Sequence, residues 1–117
     1  MAQIDVGAVS FFGMAAPYLE KAKPFYAALF GWRIEQSAPA RPASIEGAGI
    51  PGFGHDTDQI AGFRIYFRTS DIEASAARVR QLGGWAESAP AVIPGMGKLL
   101  NCRDDQGLEF GLHQPEP

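Results

Sequence analysis

The two histidines of the chain, His55 and His113, are the side chains best suited to metal binding or proton transfer near neutral pH. His55 stands in the run GHDTDQ, where Asp56 and Asp58 add carboxylates that could complete a metal site. The same run is typical of an exposed polar connection, which is the favoured interpretation. An Asp-x-Asp pair without the glycine and distant glutamate of an EF-hand loop is a weak calcium signal. His113 could act as a general base, although its place close to the terminal Pro-Glu-Pro favours a polar residue at the fraying end of the last strand.

The single cysteine, Cys102, cannot form a disulfide within the chain. It lies on a predicted strand and is interpreted as a small core residue rather than a nucleophile. No N-terminal segment combines basic residues, an apolar run and a small-residue cleavage site. The expected location is therefore the cytoplasm.

Composition and charge exclude several classes of protein. The 117 residues are 46% hydrophobic and 20% charged, which is typical of one compact globular domain. The net charge of −3 and the absence of a Lys/Arg cluster offer no basic face for nucleic acid or an anionic membrane surface. The apolar stretch from Val6 to Ala16 is also far shorter than the roughly 20 residues that cross a bilayer.

The sequence pattern of the elements that would position these side chains occurs twice in the chain. Aligning ALFGWRIE with QLGGWAES through Trp32 and Trp85 gives an offset of 53 residues, which also places Leu19 on Ile72 and Tyr26 on Val79 without a gap. Helix-spaced apolar matches in register with a Gly-Trp pair rarely arise by chance. The pattern indicates an internal duplication, approximately residues 1–58 and 59–117.

Each copy predicts a strand, a helix and three further strands. The helices are amphipathic and end at glycine, namely Gly31 and Gly83-Gly84. Pro17 is placed to open the first helix, and Ser70 with Glu73 predicts a capping box at the second. The runs KLLNCR and LEFGLH around residues 104–107 predict a closing hairpin.

Tandem βαβββ modules resemble the vicinal oxygen chelate superfamily, which includes glyoxalase, bleomycin-resistance proteins and extradiol dioxygenases. Three runs carry the resemblance over nearly the whole chain: EKAKPFYAALFGWRIE, IYFRTSDIEASAARVRQLGG and IPGMGKLLNCRDDQGLEFGL. The resemblance implies an α+β fold in which the two modules form a cupped mixed sheet, and it implies a homodimer. Function does not follow from it, because this fold hosts enzymes and non-catalytic binding proteins.

Metal-using members of the superfamily hold a divalent ion with His and Glu side chains from the first and last strand of each module. Carried over residue by residue, the resemblance places three of these positions at Phe11, Arg64 and Gly111, none of which is a metal ligand. The fourth falls between Gly49 and Asp58, where His55, Asp56 or Asp58 could occupy it. A two-residue shift in register would instead bring Glu109 or His113 to the last position.

The resemblance and strand alternation together predict the residues that face the concave side, while Ile65, Phe67, Phe110 and Leu112 face the helices. The candidate ligand-binding residues are Phe11, Arg64, Tyr66, Glu109 and His113. Arg64 could anchor an anionic or oxygen-rich ligand that Tyr66 orients. Alternatively, Arg64 pairs with Glu109 as one of two desolvated charges.

Two functions from different classes follow. The first is a binding protein similar to the bleomycin-resistance branch, which holds a small molecule in the concave cavity and needs no cofactor. The second is a metal-dependent lyase, isomerase or dioxygenase of the glyoxalase type, with a divalent metal on a displaced ligand set of His55, Glu109 and His113. A third possibility, an accessory domain that recognises a partner protein, stays open.

Overall fold

The computed structural model describes residues 6–38 and 41–117. Its elements are β1 (Val9–Ala16), α1 (Leu19–Phe30), β2 (Arg33–Glu35), β3 (Ala43–Glu46), β4 (Gly52–Asp56), β5 (Gly62–Arg68), α2 (Ile72–Gln81), β6 (Trp85–Ala86), β7 (Ala91–Ile93), β8 (Gly97–Arg103) and β9 (Glu109–Gln114). The predicted α+β order of two βαβββ modules is confirmed. The short strand β7, which pairs with β8, is an addition to the second copy.

Two compact units make up the chain. The first unit is residues 11–64, and the second unit is residues 65–117 together with residues 6–10. Backbone hydrogen bonds hold the start of β1 in the second unit, from Gly7 N to Arg68 O and from Arg68 N to Ala8 O, both at 2.9 Å. The sequence repeat at 1–58 and 59–117 is a different division of the chain and stays a prediction.

In the first unit the strands follow the order β2-β3-β4-β1, with β4 parallel to β1 and the other pairs antiparallel. One face of this sheet and one side of α1 bury a common core: Phe12, Met14, Leu19, Ile34, Ala43 and Ile45. Gly52 and Gly54 lie on the same face, where a Cβ at Gly52 would come within 2.5 Å of the Phe12 ring. These glycines blur the strand pattern in the sequence, yet the packing of Phe12 requires the first of them.

In the second unit β5 runs parallel to β9, while β8 is antiparallel to β9, β6 and β7. The predicted hairpin is confirmed, since β8 and β9 pair from Lys98–Gln114 to Arg103–Glu109. The core between this sheet and α2 consists of Ile72, Ala76, Ala86, Leu100, Cys102 and Leu112. Cys102 is 1% exposed, which confirms its interpretation as a core residue.

The helix starts differ from the predicted ones. The N-cap of α2 is Asp71, whose Oδ1 accepts a hydrogen bond from Ala74 N at 3.0 Å, so the capping box proposed for Ser70 and Glu73 is wrong. Pro17 lies one residue before Tyr18, the N-cap of α1, and is therefore not in the first turn. The predicted end of α1 is confirmed, because Gly31 adopts the left-handed conformation with φ 76°.

Large apolar side chains such as those of the two tryptophans favour core or interface positions, yet Trp32 and Trp85 have different surroundings. Trp32 packs against the core of the first unit, with its ring 5.3 Å from that of Tyr26 and 5.7 Å from that of Phe12. Trp85 is 47% exposed and lies outside the core of the second unit. Only the first of the two fits the core interpretation.

Neither α1 nor α2 is long and apolar enough to cross a membrane, and these are the helices of the described part of the chain.

Candidate functional site

The sheet of the second unit has one face turned away from α2, called here the open face. The strand register shows which residues lie on the open face, because residues directly opposite one another on adjacent strands share a face. Glu109, Gly111 and His113 of β9 lie opposite Arg103, Asn101 and Leu99 of β8, and Tyr66 and Arg68 of β5 lie opposite Gly111 and His113. The predicted orientations of Phe110 and Leu112 are confirmed, because both contact the core beneath α2.

Tyr66 lies at the centre of the open face and covers Gly111. A Cβ atom built on Gly111 would lie 2.8 Å from Cγ of Tyr66 and closer still to Cδ2 and Cε2. The Tyr66 hydroxyl donates a hydrogen bond to Oδ1 of Asn101 at 3.0 Å. Glu87 accepts from Asn101 N at 2.7 Å and thereby ties that strand to the segment after β6. The Tyr66 side chain is thus fixed by the packing of its ring on Gly111 and by the hydrogen bond of its hydroxyl to Asn101.

Arg103 and Glu109 place opposite charges at one edge of the open face. Nε of Arg103 lies 3.7 Å from Oε1 of Glu109, and the guanidinium carbon lies 4.9 Å from the centroid of the Trp85 ring. Both charged side chains are partly exposed, so the pair adds little stability but presents a polar, aromatic-backed edge. The predicted pair of Glu109 with Arg64 stays a prediction.

His113 is held by hydrogen bonds to both ring nitrogens. Nε2 contacts the carbonyl oxygen of Met96 at 2.6 Å, and Nδ1 contacts the hydroxyl of Ser10. Because a carbonyl oxygen can only accept, Nε2 carries a proton, and Nδ1 accepts from the Ser10 hydroxyl whenever Nδ1 is not itself protonated. His113 is only 9% exposed and lies within β9, so its interpretation as a polar residue at a fraying strand end is wrong.

The first unit has a corresponding face turned away from α1, built around two aromatic rings. Phe11 is 4% exposed, and its ring meets that of Phe53 edge to face at 5.3 Å. His55 is the last residue but one of β4, two residues after Phe53, and therefore shares this face. Arg64 is partly buried, and its Nε atom is fully shielded from solvent.

Asp56 has a structural contact that the sequence did not predict. Its Oδ1 accepts a hydrogen bond from Leu19 N at 2.7 Å and so satisfies a donor in the first turn of α1. His55 and Asp56 are the last two residues of β4, so the run GHDTDQ is only partly the exposed connection that it resembled. Asp58 lies in the loop that follows and is exposed.

The residues that the resemblance places at the superfamily's metal positions do not fit a metal ion. Phe11 is an apolar ring, Arg64 is a cation, and at Gly111 the space for a carboxylate is filled by Tyr66. Among residues 6–38 and 41–117 no three His, Cys, Asp or Glu side chains are grouped so that they could hold an ion. The displaced set would also compete with contacts already made by His113 and Glu109.

Several residues on or in contact with the open face were not predicted from the sequence. Asn101 and Arg103 lie on the run KLLNCR, whose alternation with Leu100 and Cys102 was a usable signal for their orientation. Ser10 and Trp85 had no such signal, because their contacts with His113 and Arg103 join positions far apart in the chain.

The sequence is similar to that of a known protein over part of its length. No family model matches the sequence. The proposed glyoxylase CFP32 of Mycobacterium tuberculosis is 32% identical over 69 residues, which are 59% of this chain and 23% of that protein. The chain thus spans about a quarter of the length of this curated relative.

Solved structures match almost the entire chain. Methylmalonyl-CoA epimerase from Mycobacterium tuberculosis aligns over 100% of this chain and 93% of its own, with a TM-score of 0.67 and 17% identity. Homoprotocatechuate 2,3-dioxygenase from Brevibacterium fuscum aligns over 96% of this chain and 37% of its own, with a TM-score of 0.66 and 17% identity. Both are vicinal oxygen chelate proteins. The chain therefore has the vicinal oxygen chelate fold, as its sequence resemblance predicted.

Proposed function

We propose that the chain is a glyoxalase/bleomycin-resistance-like protein that binds a small molecule on the sheet faces turned away from its helices, without the metal site of that superfamily. The observation that carries this proposal is the ring of Tyr66 over Gly111. At the place of the superfamily's last metal-binding carboxylate, this chain has an aromatic wall with an anchored hydroxyl. Such a wall suits a ligand surface rather than a metal centre.

The side chains of the open face favour a planar, oxygen-bearing ligand. Tyr66 offers an aromatic surface, and its hydroxyl is oriented by Asn101. The Arg103 guanidinium, backed by Trp85, offers paired N–H donors to carboxylate or phenolate oxygens. Phe11 and Arg64 are the corresponding proposed ligand residues of the first unit, and Glu109 and His113 complete the proposed set.

The metal-dependent alternative has less support. It requires His113 to release Met96 O or Ser10, and it requires Glu109 to exchange Arg103 for an ion. Each exchange would leave a polar partner unsatisfied, at a cost of about 1–3 kcal/mol when that partner is buried.

A homodimer and a cytoplasmic location remain parts of the proposal. The buried thiol of Cys102 is compatible with a reducing compartment. The dimer derives from the family resemblance alone and is tested by light scattering of the purified chain.

The first experiment tests the absence of the metal site. The purified chain is analysed for metal content, stripped, and titrated with Ni²⁺, Zn²⁺, Fe²⁺, Mn²⁺ and Mg²⁺ while thermal unfolding is followed. We expect no stoichiometric ion and no shift in Tm. A stoichiometric ion whose stabilising effect is abolished by Glu109→Ala or His113→Ala would contradict the proposal and support the enzyme alternative.

The second experiment tests ligand binding with 3,4-dihydroxybenzoate, a planar, anionic and oxygen-rich probe. Trp85 fluorescence reports on binding in a Trp32→Phe background, since Trp85 lies beside Arg103 on the open face. We expect saturable quenching, weakened roughly tenfold by Tyr66→Ala or Arg64→Ala because each removes a proposed anchor. Arg41→Ala, an exposed arginine of the first unit, is the control.

Unchanged affinity in the Arg64→Ala variant would contradict the anchor role of Arg64. Loss of fold in that variant, measured by circular dichroism, would instead favour its pairing with Glu109. Absence of saturable quenching by 3,4-dihydroxybenzoate, benzoate and catechol would contradict the proposed ligand class.

A further inference from the structure

A cavity of about 310 Å³ lies in the second unit, on the side of the sheet that carries α2. It is bounded by the end of α2, the glycine turn before β6 and the turn between β8 and β9, and is lined by Val79, Leu82, Gly84, Asp104, Asp105 and Phe110. None of the residues proposed above to bind a ligand belongs to this lining. The volume is at the lower end of the roughly 300–1,000 Å³ typical of small-molecule sites.

The walls of the cavity are apolar and its floor is closely packed. Val79 and Phe110 are partly buried against the core, whereas Leu82 is 60% exposed at the mouth. A Cβ on Gly84 would lie 2.9 Å from Cγ1 of Val79 and 2.5 Å from the carbonyl oxygen of Arg103. Glycine at this position therefore lets the turn approach the sheet and leaves the apolar walls accessible.

The polar side chains of the lining are both carboxylates. Oδ1 of Asp104 accepts backbone hydrogen bonds from Gln106 N at 2.8 Å and Leu108 N at 2.9 Å, which fix the turn. Asp105 is exposed and makes no hydrogen bond or ion pair with any other residue of the described part of the chain. The mouth of an apolar cavity thus has uncompensated negative charge.

The guanidinium groups of arginines near the cavity donate to acceptors other than these two carboxylates. Arg80 donates to the carbonyl oxygens of Ala86 and Glu87, and Arg78 donates to the side chain of Gln81. Arg103 contributes only its backbone near Gly84, while its side chain lies on the open face. A ligand cation would therefore meet the carboxylates without competition from a basic residue of the lining.

The corresponding place in the first unit is occupied by a larger side chain. The 53-residue offset puts Tyr26 at the position of Val79. The Tyr26 ring stacks on Trp32 at 5.3 Å and meets Phe63 edge to face at 6.1 Å. Valine at position 79 lacks this ring, and the second unit has open space at the end of its helix.

We infer that this cavity is a second ligand site, specific for a small organic cation whose aryl or alkyl body lies between Val79, Leu82 and Phe110. The ammonium group lies at the mouth beside Asp105, with Asp104 adding negative potential. Apolar contacts provide most of the affinity and the carboxylates provide the selectivity for positive charge.

Three probes of similar size separate these contributions: phenethylammonium, 2-phenylethanol and 3-phenylpropionate. Their binding to the intact chain is followed by amide chemical shifts of Val79, Gly84 and Asp105 in nuclear magnetic resonance spectra. We expect saturable shifts at these amides, with affinity highest for the cation and lowest for the anion.

Matched variants locate the site. Asp105→Asn is expected to weaken phenethylammonium binding about two- to fivefold, as for an exposed ion pair, and to leave 2-phenylethanol unchanged. Asp58→Asn, an exposed acid of the first unit, is the control and should change neither. Val79→Tyr, which introduces the residue of the first unit, should abolish binding of both probes. Should that variant not fold, Leu82→Lys places a cation at the exposed mouth and should weaken phenethylammonium at least severalfold.

Equal or tighter binding of 3-phenylpropionate would overturn the inference, as would shifts confined to Tyr66 and Asn101 or the absence of saturation at millimolar probe. Unchanged affinity in folded Val79→Tyr or Leu82→Lys protein would overturn it as well.

Discussion

Tyr66 and Gly111 form a single structural feature: the ring of Tyr66 occupies the space that any side chain at position 111 would need. The two residues lie directly opposite each other on the parallel strands β5 and β9. Gly111 has no side chain that could bind a metal, and the ring of Tyr66 occupies the space that such a side chain would fill. A glutamate introduced at position 111 would meet the ring of Tyr66, so placing a carboxylate there requires a change at Tyr66 as well.

The first prediction concerns this pair. Gly111→Ala should lower the free energy of unfolding by about 1–3 kcal/mol, because the added Cβ overpacks the site. In a Tyr66→Ala background the same substitution should cost much less, with a coupling energy of about 0.5–3 kcal/mol between the two positions. Urea unfolding of the unsubstituted chain, the two single variants and the double variant completes this double-mutant cycle and measures the coupling energy. Additive effects would show that the ring does not restrict position 111.

The second prediction concerns the buried contacts of His113. At pH values where the ring is neutral, nitrogen chemical shifts should show the proton on Nε2, which donates to Met96 O. Ser10→Ala should destabilise the chain by about 1–3 kcal/mol, since Nδ1 then loses its buried donor. Ser88→Ala, at an exposed position, is the control and should be near neutral. A proton found on Nδ1 would contradict this arrangement.

The third prediction separates two candidate caps of α2. Asp71→Ala should destabilise the chain by about 0.5–2 kcal/mol, because Ala74 N loses its acceptor. Ser70→Ala should have little effect, although the sequence pattern pointed to Ser70. Thermal unfolding of the two variants decides between them. A larger cost at Ser70 would restore the capping box.

The fourth prediction concerns pH. The hydrogen bond from Lys98, at 2.9 Å, holds the pKa of Glu73 below its usual value. Because the folded-state pKa is lowered, the stabilising contribution is present at neutral pH and is lost as the pH falls through that lowered pKa. Titration of the Glu73 carboxyl resonance should show its pKa rising toward the usual value in Lys98→Met. An unchanged pKa would mean that the contact does not persist in solution.

The fold was largely predictable from the sequence, because its signals are local and repeated. Leu19 and Ile72, which the 53-residue offset aligned, are the first residues of α1 and α2, and both are buried. Helix periodicity, the glycine at position 31 and the closing hairpin depend on neighbouring residues, so the sequence showed them correctly. The predicted cap of α2, Ser70, lies one residue before the observed cap Asp71, and Pro17 lies two residues before Leu19, the first residue of α1. Propensity does not resolve shifts of this size.

The candidate site was only partly predictable. Strand alternation correctly placed Phe110 and Leu112 toward the helix and left Tyr66 on the other face, because side-chain direction has a period of two. The contacts that these residues make depend on distant strands. Ser10 reaches His113 across 103 positions of the chain, and no local pattern relates the two.

The sequence by itself determined the order of the two βαβββ modules, the direction of Phe110 and Leu112, and the residue types at Phe11, Arg64 and Gly111, where the resemblance places metal ligands. Only the tertiary structure decided what stands in their place. Gly52 and Gly111 each accommodate an aromatic ring from the adjacent strand, Phe12 and Tyr66 respectively. Close packing between strands far apart in sequence is the reason, since the volume missing at one residue is supplied by another that only folding brings beside it.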